Sequence, residues 1–163
     1  MTASTMNRAE RTADRENLVH RIRAFNRFYM PIMNLLGGNY LGSGYSATEA
    51  RVLFELYERE GCNAAAVARS MNIDKSYLSR VVHQFLESGC LRRVPSREDK
   101  RSFCLYLTEK GRALTEHLIR RSDADIRSRL GNLTAAEEQR FRQALDTMTA
   151  LLKKGMNEED GTL

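Results

Sequence analysis

Apolar side chains recur along this chain in two rhythms. Leu18, Ile22, Phe25, Tyr29, Ile32 and Leu36 step by 4, 3, 4, 3 and 4, the repeat of one face of an amphipathic helix. Pro31 falls inside that run and is expected to bend it, because proline removes a backbone donor. The glycines between Gly37 and Gly44 predict a loop. Ser46-Ala47-Thr48-Glu49 has the form of a capping box, opening a helix over Val52, Leu53, Leu56 and Tyr57 that Gly61 stops. Asn63 is placed to cap a short alanine-rich helix from Ala64 to Met71, and Asn72-Ile73 to make a tight turn, since asparagine tolerates left-handed geometry. Asp74 can cap the next helix, with Leu78, Val81, Val82, Phe85 and Leu86 inward and Gly89 just past its end. Its outward residues are then Lys75, Ser76, Tyr77, Ser79, Arg80, His83 and Gln84, a set of hydrogen-bond donors with no acid.

After Gly89 the period changes to 2. Leu91 to Val94 reads as one strand, and Phe103, Leu105 and Leu107, alternating with Ser102, Cys104 and Tyr106, read as a second. Between them lies a charged hairpin tip, Pro95 to Arg101. Thr108 then caps a helix toward Leu130 with Leu114, Leu118, Ile126 and Leu130 inward, and Thr134-Ala135-Ala136-Glu137 opens a last helix over Phe141, Leu145, Met148, Leu151 and Leu152. The expected fold is mainly α with a small β-hairpin wing. It is a winged helix-turn-helix over 45–107, flanked by helical dimerisation segments at 14–36 and 108–155, with 1–13 and 156–163 unstructured.

Composition narrows the function. The chain has 163 residues, 42% of them hydrophobic, enough for one domain with a core. No apolar run approaches the ~18 residues of a membrane span, and no apolar stretch follows Arg8 as in a secretory signal, so a cytoplasmic location is expected. Cys62, Cys90 and Cys104 are odd in number with no C-x-x-C pair, and His20, His83 and His117 are far apart, so neither a disulfide framework nor a metal site is expected. Phosphate-loop, dinucleotide and serine-hydrolase motifs are absent, so no enzymatic activity and no cofactor are expected. The net charge of +5 is unevenly spread: residues 1–30 carry +3, 31–74 carry −2, 75–101 carry +4 and 102–163 are neutral. The +4 segment coincides with the second helix of the pair and the wing, as a protein meeting a polyanion through one face requires.

The run from Tyr45 to Gly111 resembles the multiple-antibiotic-resistance regulator (MarR) family of bacterial winged helix-turn-helix repressors. The matching residues are Ser46, Glu49, Ala50, Val52 and Leu53, then Ala68 to Ile73, Ser76, Ser79 and Arg80. They continue through Leu86, Glu87, Gly89, Leu91 and Arg93, the wing pair Asp99-x-Arg101, and Leu107-Thr108-x-x-Gly111. The resemblance implies a homodimer on an inverted repeat of double-stranded DNA in a promoter, acting as a repressor and released by a small-molecule effector or by oxidation. Activation or antirepression through the same surface stays open. Ser76, Tyr77, Ser79, Arg80 and His83 are the expected contacts of the recognition helix, with Arg80 the candidate for bidentate guanine recognition and Lys75 beside them expected to meet phosphate. Arg92 and Arg93 alternate on a strand, so one of them is expected to meet phosphate. In the wing, the resemblance makes Asp99 the partner that orients Arg101, with Arg97 or Lys100 at the minor groove. It also implies an effector pocket lined by Tyr29, Met33, Tyr45, Arg51 and Phe54, Arg51 pairing with an anionic ligand. For a redox switch, the candidate is Cys62, where a helix N-terminus would lower a thiol pKa.

Overall fold

The computed structural model describes residues 8–96 and 102–159, and the chain divides after Ser122 into two compact units. The first begins with α1 (Arg8–Ile32) and a 3-10 turn (Tyr40–Gly42). It continues with α2 (Ala47–Glu58), α3 (Ala64–Met71), α4 (Lys75–Glu87), the antiparallel strands β1 (Leu91–Pro95) and β2 (Phe103–Leu107), and the first part of α5 (Glu109–Leu130). The second unit holds the rest of α5 and α6 (Ala135–Glu159).

Local capping starts most of these helices. Ser46 accepts from the Glu49 N–H at 3.2 Å while the Glu49 carboxylate accepts from the Ser46 N–H at 2.6 Å, a complete capping box. Asn63 accepts from the Ala66 N–H at 2.8 Å, and Asn72 ends α3 in the left-handed region at φ 49°. Asp74 accepts from the Ser76 and Tyr77 N–H groups at 2.8 and 3.0 Å, and Thr134 and Glu137 repeat the box before α6.

The core lies where α2, α3, α4 and the hairpin meet the start of α5. Leu53, Leu56, Leu78, Phe85 and Leu118 are fully buried. The hairpin pairs Leu91 with Leu107 and Arg93 with Leu105, which turns Leu91, Leu105 and Leu107 inward. Gly111 lets the first turn of α5 lie against the start of the hairpin: a Cβ there would collide with the Cys90 carbonyl. Thr108 fastens the same junction by donating its hydroxyl to the Gly89 carbonyl at 2.7 Å.

Several expectations need correction. α1 starts at Arg8, so 8–13 is helical: Ala9, Glu10, Arg11 and Ala13 favour helix, and the Thr12 hydroxyl donates to the Arg8 carbonyl. Pro31 sits in the last turn of α1. Asn34 at φ 54° closes the helix, with Leu35 N–H on the Met30 carbonyl and Asn34 N–H on the Pro31 carbonyl, so Leu36 lies outside it. At the other end α6 continues through Glu159, since 156–159 has no breaker. Residues 1–7 and 160–163 of the two expected tails lie outside the described residues. Phe103 and Ile126, expected inward, are 44% and 37% exposed. Strand alternation turns Phe103 to the face of Leu105 and Leu107, but it stands at the turn end of the hairpin, opposite Pro95 and furthest from the buried pair Leu91 and Leu107. Tyr40, assigned to a loop, is buried, with its hydroxyl donating to Ser122 at 3.1 Å.

Candidate nucleic-acid interface

The surface of interest is one face of α4 and the hairpin beside it. Inward residues Leu78, Val81, Val82 and Phe85 anchor α4 on α3 and β1, which fixes the opposite face. Lys75, Ser76, Ser79, Arg80 and His83 are all exposed there. Tyr77 is not: it is half-buried against the core, and the Arg80 guanidinium lies 5.7 Å from its ring centroid. The ring therefore serves Arg80 as a shelf, limiting the rotamers its long side chain can sample. His83 stands 3.3 Å from the Glu87 carboxylate, so the donor row ends on an acid one turn further along.

Asp74 holds the start of this face. Hydrogen bonds from the Tyr77 N–H and from Ser76 hold its carboxyl below the usual carboxylate range. The cap thus stays charged and the first turn of α4, which presents Lys75, Ser76 and Ser79, stays wound.

On the hairpin, Arg92 stacks on Tyr106 at 4.6 Å and Arg93 on Phe103 at 5.2 Å. Arg92 faces Tyr106 directly across the sheet, whereas Phe103 is the diagonal neighbour of Arg93, so the two guanidinium groups lie on opposite faces. The Ser96 N–H donates to the Ser102 carbonyl at 3.0 Å, closing the ladder. The wing-tip candidates Arg97, Asp99, Lys100 and Arg101 lie outside the described residues.

The candidate effector residues are less uniform. Tyr45 and Phe54 are half-buried, Tyr45 packing on Phe85 at 5.3 Å between ring centroids, and burial pushes its phenol up. Tyr29 is 36% exposed and stacks on Phe25 at 5.2 Å, while Met33 is half-buried. Arg51 does not stand free for an anionic ligand. Its guanidinium pairs with the carboxylate of Glu55, a residue the sequence reading missed and only 3% exposed.

Glu55 also accepts from the Ser70 hydroxyl at 2.8 Å, joining α2 to α3, with Arg59 at 3.9 Å. Burial pushes its carboxyl up, but the Ser70 and Arg51 hydrogen bonds outweigh it, and the net pKa is lowered. Its signal was the i,i+4 spacing to both arginines, Arg51 before it and Arg59 after it. At Cys62 burial pushes the thiol up, against the lowering expected of a helix terminus. Among the described residues there is no cluster of three or more metal-ligating side chains, and no helix is long and apolar enough to cross a membrane.

Comparison with known proteins agrees with this geometry. The MarR family pattern matches residues 45–103, the segment from the end of the glycine loop through the hairpin. A putative transcriptional regulatory protein for the hcr operon of Thauera aromatica is 33% identical over 95 residues, 53% of this chain and 57% of that protein. The chain thus spans little more than half of that relative. The multiple antibiotic resistance protein MarR of Salmonella typhimurium is 31% identical over 119 residues, 71% of this chain and 77% of that protein. Among solved structures, a mutant MarR from E. coli complexed with operator DNA superposes with a TM-score of 0.63, at 24% identity over 85% of this chain and 92% of that one. The mainly helical winged helix-turn-helix fold is shared, and a close relative is matched over most of its length. This chain therefore belongs to the MarR family of DNA-binding transcription regulators.

Proposed function

We propose that the chain represses transcription as a homodimer bound to an inverted repeat. The observation that carries this reading is the α4 face: Lys75, Ser76, Ser79, Arg80 and His83 stand exposed on a helix whose other side is locked in the core. Hydroxyl, guanidinium and imidazole donors of that kind suit the acceptor-rich edge of guanine in the major groove, where a bidentate arginine contact discriminates by about 1–3 kcal/mol. Tyr77 takes a supporting part, holding Arg80 rather than touching a base. Residues 45–107 form the DNA-binding domain, and α1 with 108–155 carries dimerisation, because the apolar stripes of α1 and α6 remain uncovered. In the dimer two copies of α4 enter successive major grooves about 34–36 Å apart. Each wing, through Arg97, Lys100 and Arg101 with Asp99 as the orienting acid, reaches the adjacent minor groove.

A footprint of the full chain on its own upstream DNA tests this. Two protected half-sites about 10 base pairs apart are expected, with transcription from that promoter falling as protein is added. Arg80→Ala is expected to bring specific and random duplex about 1–3 kcal/mol closer in affinity. Absence of salt-sensitive protection overturns the reading.

The release step of the proposal rests on Tyr45 and Phe54, with Tyr29 on α1 and Met33 just past its end, as a lining for a small effector. Arg51 contributes its charge to Glu55 instead. A rise in melting temperature with one member of a panel of aromatic carboxylates is expected; an unchanged midpoint across the panel removes this step.

A further inference from the structure

The exposed face of α4 is held at its two ends, and the ends are made differently. The start is closed locally, by Asp74 accepting from the Ser76 and Tyr77 N–H groups. The other end works against itself. Its last turn contains Glu87 and no basic residue, so an acid stands where the backbone dipole is already negative.

The backbone stops α4 with a Schellman turn. The Cys90 N–H donates to the Phe85 carbonyl at 2.9 Å and the Gly89 N–H to the Leu86 carbonyl at 3.1 Å, with Gly89 left-handed at φ 71°. The next three carbonyls are met from the start of α5. The Thr108 hydroxyl donates to Gly89 at 2.7 Å and the Thr108 N–H to Cys90 at 3.0 Å, while the Lys110 ammonium donates to Ser88, the last half-turn of α4, at 2.6 Å. Of these donors only Lys110 brings a charge. That charge is misplaced for its own helix, since a cation in the first turn of α5 opposes the dipole there. For α4 it is the missing basic residue. Gly111 sets the reach: a Cβ there would stand 1.9 Å from the Cys90 carbonyl oxygen, so α5 can start this close to the end of α4 because that position is glycine.

We propose that Lys110 is a positioning residue for DNA recognition: its ammonium completes the C-terminal cap of α4 from α5 and, without touching the duplex, steadies the turns that present Arg80 and His83. The proposal rests on the reading that the exposed face of α4 meets DNA. It makes the grip of α4 depend on a side chain outside the DNA-facing row.

The test compares Lys110→Gln, which removes the charge, with Lys110→Arg, which keeps it, in the full chain. Fluorescence anisotropy reads binding to the chain's own upstream duplex and to a random duplex of the same length across a range of salt. Lys110→Gln is expected to weaken the specific duplex by about two- to fivefold, the effect of one charge at a helix terminus, and the random duplex less. The slope of log affinity against log salt should stay unchanged, because no phosphate contact is lost. Lys110→Arg is expected to recover wild-type affinity. In the free chain, amide hydrogen exchange at Gly89 and Cys90 should quicken in Lys110→Gln, while Ser76 and Tyr77 at the Asp74 cap exchange as in the wild type. A slope that falls by about one overturns the proposal in favour of a direct phosphate contact. Specific affinity unchanged despite faster exchange, exchange unchanged at the end of α4, or no recovery with arginine each overturns it as well. A wild-type chain that does not distinguish its upstream duplex from random DNA overturns the reading of α4 and the proposal with it, whatever the exchange in the free chain shows.

Discussion

α4 and α1 are both amphipathic helices, yet they spend their apolar faces differently. In α4 Leu78 is 1% exposed and Phe85 fully buried, while in α1 Leu18 is 56% exposed and Ile22 44%. Apolar residues recur at helical spacing in both. What differs is the company: α4 has α3 and β1 within its own unit, and α1 has no element packed closely along it. A regular stripe therefore says that a face must be covered, and the fold says whether the same chain covers it. Where it does, the opposite face becomes a rigid platform for recognition. Where it does not, the stripe becomes an association surface.

The sharpest way to break this contrast is to truncate one aromatic from each helix. Phe85→Ala is expected to destabilise the chain by about 3–5 kcal/mol, independent of protein concentration, because it opens a cavity among residues that cannot collapse. Phe25→Ala, 40% exposed in the single chain, is expected to cost under about 0.5 kcal/mol at low concentration. At high concentration, where association adds to stability, its deficit should grow. Urea unfolding at two protein concentrations distinguishes the two. Equal, concentration-independent losses would mean that α1 is not an association helix.

Glu55 comes next in size, because it is buried and ties α2 to α3 rather than standing on the exposed face of α4. Glu55→Ala leaves Arg51 and the Ser70 hydroxyl without their acceptor and is expected to cost about 1–3 kcal/mol. The pH dependence follows from the direction of its shift. A carboxyl whose folded pKa lies below its unfolded value contributes stability that is present above the unfolded pKa and lost as pH falls through the folded one. Wild-type stability should therefore decline on acidification more steeply than that of Glu55→Gln, measured by urea midpoints from neutral pH downward. Parallel curves for the two would sink this assignment.

Legibility in the sequence tracked the distance over which each feature is decided. Ser46, Asn63, Asp74 and Thr134 were all readable as caps, because a cap closes within three residues. The helix pair and hairpin were readable for the same reason, each being a local change of period. Glu55 was not, since the Ser70 hydroxyl that completes its shell comes from another helix. Tyr40 looked like loop because its partner, Ser122, lies 82 residues away. Tyr77 faced outward on a helical wheel, yet its ring reaches back to the core. The end of α1 was misplaced because hydrophobic spacing ran on through Leu36, while a single left-handed residue, Asn34, decided the stop. Of the interface, the α4 row could be read from sequence, but the aromatic shelves beneath Arg92 and Arg93 needed the pairing of the two strands.

The smallest effect expected is also the cleanest separation of platform from interface. Lys75 is the first residue of α4 and exposed, with no side-chain hydrogen bond among the described residues that would be lost on truncation. A cation in a first turn opposes the helix dipole, so Lys75→Ala should leave stability unchanged or raise it by a few tenths of a kcal/mol. Its place beside the donor row makes it a phosphate contact in the proposed complex, and phosphate contacts carry no sequence information. The same substitution should then weaken specific and random duplex alike and reduce the slope of log affinity against log salt by about one. Stability and DNA affinity would move in opposite directions. If Lys75→Ala instead lowered affinity only for the specific site, Lys75 would be reading a base, and the division of α4 into a phosphate-facing first residue and a base-reading Arg80 would have to be redrawn.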